Sequence, residues 1–181
     1  EEYALDVLPM DFEEFTWAMN YDMVMPIIRK HYQSKKPLGA LHQGLMKAFR
    51  EYILIGGMPQ AITAFSKGKD FGQADFAKQQ IINLYKNDME FQEENSNYVS
   101  NFFDRIPSEL SKHDKRYILS HVDPNARIRD YKGPIKWLDE AMIINIANNV
   151  DDPSVVFNLG IIDPSFKCYL MDTGLLVSLA F

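Results

Sequence analysis

The sequence predicts a mainly helical (α+β) fold with a small β-hairpin near its C-terminal end. Three observations carry this. Apolar residues recur at helical spacing over most of the chain. The period changes to that of strands after residue 142. The 181 residues are 46% hydrophobic and 13% aromatic, enough to bury a sizeable core.

Residues 3 to 8 alternate like a strand, which Pro9 ends. Asp11 can cap a helix, with Glu14 three positions on as in a capping box, and Phe12, Phe15 and Met19 fall on its buried side. The methionine-rich "MNYDMVMPIIRKHY" is expected to be irregular packing filler. An amphipathic helix follows, with Leu41, Leu45, Ala48, Phe49 and Tyr52 on one face. It stops at Gly56-Gly57, and Pro59, a preferred first helical residue, opens the next helix with Ala61, Ile62 and Phe65 inward. A long helix over about 73–92 carries Ile81, Ile82, Tyr85 and Met89, and the acidic "EFQEENSN" reads as its solvated end.

Residues 98 to 142 suggest three helices: one with Tyr98, Phe102 and Ile106, a second over 107–121, and a third from Asn125. On the third, Ile128, Tyr131, Ile135, Leu138 and Met142 share a face, while Arg129, Lys132 and Lys136 share another. Gly133-Pro134 should kink it or split it in two, because the proline ring clashes with the carbonyl four residues back. "MIINIANN" and "FKCYLMD" read as strands, and "VVFNLGII" between them as a third strand or an irregular arm. Helix, helix, basic helix, hairpin is the order of a winged helix.

Net charge is −6, yet residues 105–136 hold eight basic and four acidic side chains. That span is either a nucleic-acid footprint or a solvated face. No apolar run reaches the roughly 18 residues needed to cross a bilayer, and no secretory signal is present. A lone cysteine, Cys168, suits a reducing cytoplasm and reads as a small apolar strand residue. The chain lacks an initiator methionine, opens on "YALDVLP" and closes on the apolar "LLVSLAF" without a cap or polar tail. We expect a piece cut from a longer protein.

The sequence contains no G-x-x-x-x-G-K-[ST] loop, no G-x-G-x-x-G after a strand and no nucleophile elbow. Its four histidines are too scattered for a zinc pattern, and His121 with Asp123 is a weak H-x-D pair. No catalytic motif lies in this chain.

"LDVLPMDFEEFTWA", "REYILIGGMPQAI", "RIPSELSK", "ARIRDYKGPIKWLDEAMI" and "FKCYLMDTGLL" stand in this order along the chain. In these blocks the chain resembles a bacterial family of predicted AAA+ ATPases with a C-terminal domain of unknown function. The resemblance implies that residues 1–10 are a remnant of the last ATPase-core strand and that 11–70 form a helical lid. Residues 71–97 would be a linking helix and 98–181 a winged-helix-like domain. The Walker A and B motifs would lie upstream, so ATP and magnesium would bind only with the missing N-terminal core, and a nuclease-like region would follow. The parent is then expected to be a cytoplasmic ATPase. The chain would couple nucleotide state to a DNA- or protein-binding domain.

The same resemblance gives Gly57, Met58 and Pro59 the part of a lid motif facing the nucleotide. Glycine permits close backbone approach, and a helix N-terminus favours phosphate. A helix C-cap glycine followed by a first-turn proline accounts for the stretch without any ligand. For the basic region, Arg127, Arg129, Lys132 and Lys136 are candidate nucleic-acid contacts, flanked by Lys112, Lys115 and Arg116. Winged helices also dock proteins, and Gly133-Pro134 departs from the family pattern. A stand-alone, non-enzymatic winged-helix module is the alternative.

Overall fold

A computed structural model of the chain describes residues 5–91, 96–149 and 166–181. Among these, eight α-helices and one two-stranded antiparallel sheet are formed. The fold is mainly helical with a small hairpin. Two compact units are formed: Glu1–Ile81 with Asp172–Leu179 and Phe181, and Ile82–Met171 with Ala180.

In the first unit, α1 (Phe12–Ala18) starts as the sequence dictates. The Asp11 side chain accepts from Glu14 N–H at 2.8 Å, and Glu14 accepts from Asp11 N–H at 2.9 Å. Leu5–Leu8 pair with no strand among the described residues, and the rest of the expected first strand lies outside them. The methionine-rich stretch is irregular only over residues 19–23, where Met19 is buried in the core, and from Val24 it forms α2 (Val24–Ser34), a helix with no fully buried residue. Val24, Met25, Ile27 and Ile28 are half-buried, and Pro26 lies in the first turn, where its missing N–H would have had no partner within the helix.

Helix α3 (His42–Ile55) buries Leu45, Ala48 and Ile55. Leu41, expected on its apolar face, instead ends a 3₁₀ turn over Gly39–Leu41 and is exposed. Gly56 ends α3 at φ +83°, and Pro59 is the first residue of α4 (Pro59–Ser66). Phe15, Met19, Ile55, Ala61, Ile62 and Phe65 form the core here, with Phe12, Tyr52 and Met58 against it. The long helix is α5 (Phe71–Glu90), and the division between units falls inside it at Ile81/Ile82.

The apolar "LLVSLAF" is part of an unexpected helix, α8 (Thr173–Ala180), and it does have a cap: the Asp172 side chain accepts from Leu175 N–H at 2.7 Å. Gln79 on α5 donates to the Ser178 carbonyl at 2.8 Å, and Ser178 Oγ donates to Asp75. Both bonds lie within the first unit.

The second unit departs from the expected helices. Helix α6 (Ser96–Leu110) runs through Pro107 instead of stopping before it. The proline removes one hydrogen bond, while buried Ile106 and Glu109 on either side keep the turn packed. No second helix covers 107–121. Past α6 the chain leaves helix and forms only a 3₁₀ turn over Leu119–His121. The Tyr117 N–H is taken by the Phe166 carbonyl at 2.8 Å, which holds this stretch beside the sheet.

Asp123 and Asn125 make a tight turn, so the next helix, α7, begins at Ile128, not at Asn125, and runs to Glu140. Pro134 is buried inside α7, which continues as one helix, so the expected split does not occur. The carbonyl it deprives belongs to Asp130 in the first turn, close to solvent.

Strands β1 (Ile144–Asn148) and β2 (Phe166–Leu170) pair antiparallel, with Ile144 opposite Leu170 and Ile146 opposite Cys168. "VVFNLGII" lies outside the described residues. The core of this unit is an aromatic stack. The Phe102, Tyr117 and Phe166 rings lie 4.3 and 5.6 Å apart in sequence and nearly parallel, and Tyr117 donates its hydroxyl to the Phe102 carbonyl at 2.7 Å. Burial pushes the Tyr117 phenol well above its ordinary range. Each unit contains one of the two tryptophans: Trp17 on α1, 58% exposed, and Trp137 on α7, half-buried.

Candidate functional site

The Gly56–Pro59 turn is closed by its own chain. Gly57 N–H donates to Asp172 Oδ2 at 2.5 Å, and the Gly57 carbonyl accepts from Met10 N–H at 2.8 Å. A Cβ at Gly56 would overlap the Asp172 carboxylate, and one at Gly57 would overlap the Met10 backbone. Across the contact, a Cβ at Gly174 would overlap the Ile55 carbonyl. Three glycines from two distant stretches are therefore required for close packing. Gly56 is needed twice over, since its φ is also left-handed.

Asp172 is 3% exposed and accepts from the backbone N–H groups of Gly57, Leu175 and Gly174. Burial pushes its carboxyl up. The three N–H bonds and the Lys78 charge oppose that rise without cancelling it. Lys78, itself 4% exposed, donates to the Leu54 carbonyl at 2.8 Å in the last turn of α3 and lies 3.4 Å from Asp75. It satisfies a helix-end carbonyl that has no partner within its own helix.

Of the three lid candidates, Gly57 is buried with its amide committed, Met58 is half-buried against the core, and Pro59 is exposed. A phosphate at the Gly57 amide would face the Asp172 carboxylate, so the fit to a nucleotide rests on the Pro59 ring alone. The groove beside it is shallow and lined by Gln60, Thr63, Ala64 and Lys67.

The basic candidates are all in the second unit. Arg127 precedes α7, and Arg129, Lys132 and Lys136 are exposed on one side of it, opposite buried Tyr131, Ile135 and Leu138. Arg129 pairs with Asp130 at 3.2 Å and Lys136 with Glu140 at 3.4 Å. Arg127 and Lys132 have no ion-pair partner among the described residues. A Cβ at Gly133 would meet open space, so the proline-containing stretch presents a bare backbone on this surface.

The flanking cations divide. Lys115 is exposed, and Arg116 is exposed and pairs with Asp114 at 3.2 Å. Lys112 is drawn inward to Glu109 at 2.6 Å and to His121 Nδ1 at 2.6 Å. Glu109 is 1% exposed and also meets His121 Nδ1 at 3.0 Å. Burial pushes the Glu109 carboxyl up, but the hydrogen bonds and charges of Lys112 and His121 outweigh it and hold it below the ordinary value. His121 is thus half of a structural pair. Asp123, its expected H-x-D companion, instead caps Asn125 N–H at 2.8 Å. No group of metal-ligating side chains converges among the described residues. No described helix is long and apolar enough to cross a membrane.

Residues 46–181 match the family described as Domain of unknown function (DUF8612), about three quarters of the chain. The chain belongs to that family. No curated protein and no solved structure matches it. The matched span takes in both the Gly56–Pro59 turn and Asp172.

Asp172 and Lys78 were not legible as site residues. "DTG" gives a signal for a helix cap, an Asp before a small-residue run, but its partner Gly57 lies 115 positions away.

Proposed function

We propose that the chain is the regulatory C-terminal part of an AAA+-type ATPase. In this reading the first unit is the helical lid and the second is a winged-helix-like module that binds nucleic-acid backbone through α7. One observation carries the second half of the reading. The order α6, a stretch hydrogen-bonded to β2 through Tyr117, a 3₁₀ turn, α7 and a hairpin leaves the Arg129, Lys132 and Lys136 side of α7 open. That arrangement is the one in which a winged helix offers its third helix to a groove, and cations there reach phosphates. Phosphates and magnesium are held by a core outside this chain, and the lid adds the exposed Pro59 ring. The setting is cytoplasmic.

Random duplex DNA titrated across a salt series tests the module. The logarithm of affinity falls linearly with the logarithm of salt, and removing Arg129, Lys132 and Lys136 lowers the slope by roughly three. No binding at low salt overturns nucleic acid as the partner. For the lid, ATP titrated into this chain gives at most slight binding, whereas the parent protein binds it. Tight binding by the chain alone sinks the division of labour.

A second reading, a stand-alone winged-helix module for DNA or protein, is favoured by the commitment of the Gly57 amide to Asp172. A parent reading frame with no G-x-x-x-x-G-K-[ST] loop upstream decides for it.

A further inference from the structure

Between Met23 and Arg50 the chain holds six lysines and arginines and no aspartate or glutamate, within a protein of net charge −6. This stretch builds α2, the turn after it and most of α3, all in the first unit. Arg29 pairs with Glu13. Lys30, Lys35, Lys36, Lys47 and Arg50 are exposed and have no ion-pair partner among the described residues.

The turn between the two helices is held by its own groups. Lys35 ends α2 at φ +52°, and the N–H groups of Lys35 and Lys36 donate to the Tyr32 and His31 carbonyls at 3.2 and 3.1 Å. His31 Nδ1 lies 3.1 Å from the Pro37 carbonyl and 3.3 Å from that of Lys36. A ring nitrogen that faces two carbonyls carries its proton and donates. His31, Tyr32, Lys35, Lys36 and His42 line a shallow, open groove here. Tyr32 is 84% exposed, with no ring or hydrogen-bond partner among the described residues. Folding gains almost nothing from a ring left in water. The dipole of α2 favours cations at its C-terminus, but it explains neither that ring nor the lack of acids over two helices.

We propose that this groove binds single-stranded nucleic acid, with a base stacked on Tyr32 and the adjoining phosphates on Lys35 and Lys36. A bare aromatic ring among cations is what an unpaired base and its backbone require. A base inside a duplex has both faces stacked and cannot use the ring. A membrane surface fits less well, because Val24, Met25, Ile27 and Ile28 on α2 are already half-buried and not free to insert. Lys30, Lys47 and Arg50 add to the attracting field. The claim goes beyond the proposed function and holds whether or not α7 contacts DNA.

A labelled oligothymidylate of about ten nucleotides, titrated into the full chain at low salt, tests this. Arg129→Ala, Lys132→Ala and Lys136→Ala are carried throughout, so that α7 does not contribute to the readout. The strand binds, and Tyr32→Ala weakens it roughly 5- to 150-fold, while Tyr32→Phe stays within about twofold. Lys35→Ala with Lys36→Ala lowers the salt slope by roughly 1.4. An abasic strand of the same length binds more weakly than the thymidylate. Oligouridylate in a parallel titration identifies the preferred sugar, and tighter binding of either strand supports the site. These side chains are exposed, so the urea midpoint of each variant stays unchanged. No binding at low salt, equal affinity for the abasic strand, or unchanged affinity in Tyr32→Ala overturns the proposal. So does capture on vesicles of phosphatidylserine and phosphatidylcholine that oligothymidylate does not compete away.

Discussion

The Gly56–Pro59 loop and the exposed side of α7 use their polar groups in opposite ways. In the loop the Gly57 N–H and carbonyl are both buried and both bonded within the chain, to Asp172 and Met10. On α7 the ammonium and guanidinium groups are in water, and Lys132 and Arg127 have no ion-pair partner among the described residues. A buried amide must find a partner during folding, so by the time a ligand arrives it is already satisfied. An exposed cation contributes little to folding and remains available. Glycine spacing in a turn can therefore record packing where it resembles a ligand motif, while a row of solvated cations records an opportunity.

The contrast can be broken first at the glycines. Gly57→Ala or Gly174→Ala drives a methyl group into backbone, and we expect a loss of about 3 kcal/mol or more in urea unfolding. A loss below about 1 kcal/mol would mean that the loop is not closely packed. Next in size is Asp172→Ala, which strands buried N–H groups and should cost about 2–4 kcal/mol by the same measurement. An unchanged midpoint would show that those amides find water.

Glu109→Gln should cost about 1–3 kcal/mol, because Lys112 and His121 lose a charged acceptor. Its pH dependence has a definite sign. The Glu109 carboxyl lies below its ordinary 4.5 in the folded state, so its stabilisation is complete above 4.5 and disappears as pH falls below that value. Asp172 works the other way. Its folded carboxyl lies above the ordinary 3.8, so the folded state takes up the proton first, and stability from this group declines as pH rises just above 3.8. Acid-side unfolding of the Glu109→Gln and Asp172→Asn variants should diverge accordingly, and parallel profiles would refute the two assignments. The smallest effect is on α7: Lys132→Ala with Arg129→Ala should leave stability within about 0.5 kcal/mol, and a larger loss would mark this surface as structural.

Much of the fold was legible because its signals are local. The Asp11–Glu14 capping box, the Pro59 helix start and the two strands depend on neighbours a few positions away. Three misreadings share a cause. A helix boundary is expected at Pro107 and a kink or a split at Pro134, yet buried residues beside each proline keep the helix packed across the missing bond. The apolar "LLVSLAF" gave no amphipathic stripe, so α8 could not be told from a loose end without its contacts on α5. At the candidate sites, the exposed cations of α7 followed from helical spacing. The inward turn of Lys112 did not, because it is set by Glu109 and by His121, which lies nine positions away across a turn.

The placement of the two tryptophans has a practical consequence. Trp17 reports from the first unit and Trp137 from the second. With Trp17→Phe or Trp137→Phe, the emission that remains follows one half of the molecule at a time. Coincident transitions would mark a single cooperative folding unit, and separated ones would give each half its own midpoint, with no extrinsic label required.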